Sequence, residues 1–144
     1  MEYSTGIMGR VFIVKFEHEE DVLLKIEELA KKEHIKFATI VLLGALQSAD
    51  IVSGPIAPVI PPEPHWKTIT GVSETVGFGN IILRTDGSIK SHIHVNFGNK
   101  NEVLTGCLRK NGKVFITIEA VITEIITKVN RRIDPVTGIE TLKF

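Results

Sequence analysis

Lys90-Ser91-His92-Ile93-His94-Val95, followed across a polar turn by Thr105-Gly106-Cys107-Leu108, is the stretch on which the reading of this chain turns. Side chains alternate faces along a strand, so His92 and His94 share one face while Ile93 and Val95 take the other. Between the two segments lies Phe97-Gly98-Asn99-Lys100-Asn101-Glu102. Gly and Asn there tolerate the left-handed backbone of a tight reversal, which predicts a hairpin. Pairing Phe97 with Glu102 would set His94 opposite Thr105 and His92 opposite Cys107, all on one face. The only cysteine of the chain then joins two histidines.

Two neutral imidazoles and a thiolate are donors that zinc accepts, and three protein ligands leave a fourth position open. The expectation is a mononuclear zinc site at His92, His94 and Cys107. A one-residue slip would turn Cys107 to the opposite face. The competing reading makes the histidines ordinary hydrogen-bonded surface or interface residues and Cys107 a small buried apolar side chain.

Composition narrows the class. At 144 residues the chain is one domain in size, expected to span 1–144 and to bury roughly two-thirds of its unfolded surface. One cysteine excludes an intramolecular disulfide framework, and a free thiol suits a reducing cytosol. The start, Met1-Glu2-Tyr3-Ser4-Thr5, lacks a basic and then apolar leader, and no apolar run approaches the roughly 18 residues of a membrane span. The expected location is cytoplasmic. Seventeen basic residues balance seventeen acidic ones, so the whole molecule offers nucleic acid no attractive field. Arg131-Arg132 is the densest basic pair, read as solvated or salt-bridged.

Working outward, Gly9 to Phe16 reads as a first, central strand, rich in β-branched and aromatic residues. From about Glu19 to Glu33 the period changes: Val22, Leu23, Ile26, Leu29 and Ala30 recur at helical spacing, with Glu27, Glu28, Lys31 and Lys32 opposite. Its acidic start and basic end complement the helix dipole. Lys36 to Leu43 is nearly continuous apolar sequence, which predicts a strand buried on both faces, followed by a bend at Gly44 and a second run through Ala49 to Val52. Ser53 to Trp66 carries five of the six prolines and is predicted to be a long surface excursion in which Trp66 anchors the loop on the domain or on another subunit. Thr68–Asn80 and Ile81–Arg84 read as strands, Asp86-Gly87 and Asn111-Gly112 as turns, Val114–Val129 as a long strand, and Asp134–Gly138 as a turn before a short tail strand. The sum is an α+β fold: one strongly bent, mainly antiparallel sheet of about seven strands, with one principal helix and minor helices.

The order of these segments resembles the PPC (plant and prokaryote conserved) domain family, also called DUF296. The likeness runs through Arg10-Val11-Phe12-Ile13-Val14, the acidic-led helix, Leu43-Gly44-Ala45-Leu46, Glu74-Thr75-Val76-Gly77-Phe78-Gly79-Asn80-Ile81, His92-Ile93-His94, Val103-Leu104-Thr105-Gly106-Cys107-Leu108 and Asp134-Pro135-Val136-Thr137-Gly138. The resemblance implies a seven-stranded antiparallel sheet flanked by helices and assembled as a homotrimer. Prokaryotic members of the family carry H-x-H followed by Gly-Gly-His on the return strand, an arrangement suited to a divalent ion. Here His92 and His94 match and Thr105-Gly106-Cys107 stands in place of the second segment, so the third ligand implied is Cys107.

Three functions follow as expectations. The first is a small zinc-binding homotrimer, non-catalytic or binding a small ligand at the open metal position. The second is a zinc-dependent hydrolase, for which Glu74 is the candidate general acid or base. The third is DNA binding and regulation, by analogy with plant relatives that carry an AT-hook ahead of the domain. The chain has no Arg-Gly-Arg-Pro hook.

Overall fold

The computed structural model describes all 144 residues. The elements run β1 (Ile7–Glu17), α1 (Val22–Lys32), β2 (Phe37–Pro55), β3 (Pro64–Leu83), β4 (Ile89–Gly98), β5 (Val103–Ile126), β6 (Asn130–Ile133) and β7 (Glu140–Lys143). The seven strands form two sheets rather than one. Five make an antiparallel sheet in the order β1-β5-β2-β3-β4, and β6 and β7 form a separate hairpin. α1 is the one helix, so the minor helices expected from the sequence are absent. No helix is long and apolar enough to cross a membrane.

In the five-stranded sheet β4 pairs with β3 along its whole length and also with the start of β5, while the rest of β5 pairs with β2 and β1. The pairings therefore close a circuit, β5-β2-β3-β4 and back to β5. Local irregularities accommodate it. Gly44 adopts φ +139, and a Cβ there would collide with the carbonyl of Thr117 and crowd Ile118. Asn111-Gly112 is not a turn between strands: β5 runs through it, with Asn111 at φ 56 and a register shift against β2. Left-handed Asn thus makes a bulge, and β2 satisfies it. Asn111 Nδ2 donates to Asp50 Oδ2 at 2.6 Å, and Ser48 Oγ donates to the Asn111 carbonyl at 3.0 Å.

The proline-rich segment is shorter as a loop than expected. β2 extends to Pro55 and β3 begins at Pro64, leaving only the stretch between them irregular. Trp66 is half-exposed, paired with Val52 across the ladder and under the ammonium of Lys110.

α1 starts where Asp21 caps it, accepting from Leu24 N–H at 3.2 Å, and ends on Lys31 and Lys32. It buries Val22, Leu23, Ile26 and Ala30 and packs against β4 and β5. Its Glu27 carboxylate accepts from Ser91 N–H at 3.3 Å and Ser91 Oγ at 3.2 Å and pairs with Lys90, which fastens the helix to β4 just before His92. Beneath, Ile93, Val95 and Phe97 of β4 enter the core beside Ile40, Leu42 and Ile122. Each such side chain contributes about 1.5–3 kcal/mol of burial.

The other face of the sheet is the main departure from the sequence reading. Lys36–Leu43 was expected to be buried on both sides, yet Val41 and Leu43 are 48% and 55% exposed while Ala38, Ile40 and Leu42 are buried. The apolar outer positions of this strand have no covering layer within one chain.

Gly79 lies opposite Ile93, and a Cβ there would overlap the His92 carbonyl. Gly79→Ala should therefore push β4 from β3 and lower stability by roughly 2 kcal/mol or more, read as the midpoint of urea unfolding. An unchanged midpoint would show that β4 approaches β3 less closely than described.

Candidate metal centre

β4 and β5 bring His92, His94 and Cys107 together, but in a different register from the one expected. His94, not His92, lies opposite Cys107, and Asn96 lies opposite Thr105. The displacement is two residues, one full period of the strand, so each side chain keeps its predicted face. The imidazole Nε2 atoms of His92 and His94 are 3.2 Å apart. All three donor atoms lie within 4.8 Å of one another.

The donor set fits a tetrahedral zinc ion. Zn–N distances near 2.05 Å and Zn–S near 2.3 Å separate two nitrogens by about 3.3 Å and nitrogen from sulfur by about 3.6 Å. The histidines already meet the first requirement, and the thiol has to close by at most about 1 Å. Protonation states fit as well. Burial, then the positive charges of Arg131, His94 and Arg109, lowers the His92 pKa from 6.5 to about 4, so its ring is neutral and free to ligate at neutral pH. Burial raises the Cys107 thiol, with Arg109 and Arg131 opposing it. Cys107 is therefore a thiol in the metal-free protein and has to lose its proton to bind a metal.

A second group of residues, absent from the sequence reading, adjoins this cluster. Asn80 lies opposite His92 on β3, and its side-chain oxygen accepts from Arg131 Nη2 at 3.0 Å. Arg131 is held there by its backbone, whose carbonyl accepts from Thr85 N–H at 3.1 Å, and by the bridge it forms with Arg84. The expectation of a solvated or ion-paired Arg131 is overturned: the residue is 7% exposed and no carboxylate lies within ion-pair distance. Only its burial and position reveal it, since the sequence shows two arginines beside a short strand.

Glu74 stands apart. It pairs with Gly98, four residues along β3 from Phe78, which lies opposite His94. At roughly 3.3 Å per residue this puts its backbone about 13 Å from the row that holds His94 and Cys107.

Comparison with known proteins supplies a family. The profile of the Plants and Prokaryotes Conserved (PCC) domain matches residues 3–126. Among solved structures, a metal-containing protein from Archaeoglobus fulgidus is similar at 25% identity and TM-score 0.87, with both chains covered completely. A plant- and prokaryote-conserved protein from Pyrococcus horikoshii is similar at 28% identity and TM-score 0.83, again over both complete chains. A candidate DNA-binding protein from Ralstonia eutropha shares the fold at 21% identity and TM-score 0.77, covering 92% of this chain and 90% of that one. No curated protein matches.

The depressed His92 pKa has a consequence for stability. The folded protein holds the proton less tightly than the unfolded chain, so the metal-free protein keeps its full stability above about pH 6.5 and loses it as the pH falls through 6.5 toward 4. Allowing for partial exposure, the loss is on the order of 2 kcal/mol. Urea midpoints of metal-free protein across this range should fall, and His92→Gln should flatten the slope. A variant with the parent's slope would assign the pH dependence to another group.

Proposed function

Because the chain belongs to the Plants and Prokaryotes Conserved domain family, we propose that it is a zinc-binding, self-associating member that works by holding a small ligand at its metal centre rather than by hydrolysis. The observation that carries the metal reading is the three-donor cluster itself: two imidazole nitrogens 3.2 Å apart and one thiol, all within 4.8 Å. His92 and His94 would bind as neutral imidazoles and Cys107 as a thiolate. Such a set favours zinc over hard, oxygen-preferring ions. The metal-containing relative from Archaeoglobus fulgidus supports a metal in this fold, without naming which. Zinc with three protein ligands supplies an electrophilic open position.

Two features favour a binding role over hydrolysis. Glu74 is too far along β3 to serve as a proton-transfer group at the cluster, and the one carboxylate lining the adjoining cavity, Glu140, is engaged by Arg84. Nucleic-acid binding has the weaker support. The net charge is zero, and the candidate DNA-binding neighbour from Ralstonia eutropha shares the fold alone.

Self-association rests on the outer face of the sheet. The ladder aligns Ile13, Val121, Val41, Phe78, His94 and Cys107 in one row across β1, β5, β2, β3, β4 and back to β5. The first four are exposed apolar side chains, Phe78 to 63%. A contiguous stripe of this kind on one face is characteristic of a subunit interface. The homotrimer that the family resemblance implies would cover it and leave the metal position at the edge of a groove between subunits.

Protein purified without added metal should contain about one zinc per chain, with Cys107→Ala retaining much less. Zinc uptake by the parent should release about one proton, from Cys107, measurable by calorimetry in buffers of different ionisation enthalpy. Full metal occupancy after alanine replaces all three donors would sink the assignment.

For assembly, the sedimentation mass should correspond to three chains, and Val41→Glu should shift it toward one while leaving zinc content intact. A parent that sediments as a single chain at every concentration would refute the interface.

A further inference from the structure

Beside His92 the chain forms a cavity of about 260 Å³ between β4, β5 and the β6–β7 turn, lined by Ser91, His92, Arg109 and Arg131. Its charges do not balance. Lys90 at the rim is engaged by Glu27 at 3.3 Å, and Glu140 by Arg84 at 2.8 Å. Arg109 and Arg131 have no carboxylate partner. Arg131 makes one side-chain hydrogen bond, to Asn80, and its buried Nε has no acceptor. A buried guanidinium left unpaired is costly, and chains retain one where something else supplies the negative charge.

The one carboxylate on the lining, Glu140, is already engaged by Arg84 and has two further guanidinium groups to offset. With zinc bound, one thiolate offsets only part of the added charge, and the site becomes more positive. Guanidinium forks match the paired oxygens of carboxylates and phosphates, and a small cavity concentrates their field.

We propose that this cavity is an oxyanion site adjoining the metal centre, taking a small molecule that carries a carboxylate or phosphate group held by Arg109 and Arg131. The proposal names the class of ligand for the open metal position, and to that extent rests on the zinc reading; the arginines attract the same anion without metal. Cavity size selects a small molecule over a duplex. Arg131 is 7% exposed, beyond the reach of a phosphate riding on the surface of a double helix. The residue also comes from β6, past residues 3–126 that match the family model, so the site depends on the C-terminal hairpin.

The test titrates zinc-loaded protein by calorimetry with inorganic phosphate and, separately, with malonate at fixed ionic strength. At least one should saturate with Kd of about 1 mM or tighter. Arg109→Gln, a change at an exposed position, should weaken binding about tenfold. Arg131→Lys keeps the charge but loses the fork, and should weaken it comparably. Saturation by neither anion overturns the proposal, as does saturation indifferent to both substitutions. Elemental analysis of the same samples separates the two readings. Full zinc without anion binding overturns the oxyanion site alone, whereas arginine-dependent anion binding in protein that takes up no zinc overturns the metal reading alone. Salt-sensitive binding of a duplex oligonucleotide, with no binding of either small anion, would overturn it in favour of nucleic acid.

Discussion

The start of β5 has two neighbours at once. Cys107 pairs with His94 on β4 and with Val52 on β2, so this residue sits where the sheet closes its circuit. Much else follows from that constraint. β2, β3 and β5 have to be long enough to reach round, which requires the left-handed Asn111 bulge and the Gly44 bend rather than breaks in the strands. β4 has to lie tight against β3, which requires Gly79. With β4 clamped between β3 and β5 and fastened to α1 through Glu27, the two histidines have little freedom to part from the thiol.

Strand parity made the candidate cluster legible in the sequence, and also made the reading robust. The turn between β4 and β5 is longer than assumed at one end and shorter at the other, so the ladder is offset by two residues. Because side chains repeat every two residues, His92, His94 and Cys107 meet regardless. An offset of one would have separated them. The helix was legible from its apolar spacing, a local property, although it begins at Val22 rather than about Glu19, with Asp21 as its cap.

What sequence could not show depends on tertiary neighbours. Val41 and Leu43 look like the second buried face of a central strand because their apolar character reports that a surface is covered, without telling whether a helix of the same chain or another subunit covers it. Asn-Gly reads as a reversal or a bulge according to whether the next strand returns alongside the last. Arg131 reads as ordinary surface charge until the hairpin folds it against Asn80. In each case the deciding partner was non-local, and the sequence reading missed it.

The outer face then joins two properties that are separate in the sequence. The exposed row from Ile13 to Phe78 ends at His94, so any surface that covers the apolar residues also approaches the candidate metal cluster. The β6–β7 hairpin approaches the same cluster along the neighbouring row of that face, through Arg131 at Asn80 and His92. His92 is accordingly the more enclosed imidazole and His94 the exposed one. A metal shared between β4 and β5 would tie the two strands together at the edge of the surface that a second copy would cover.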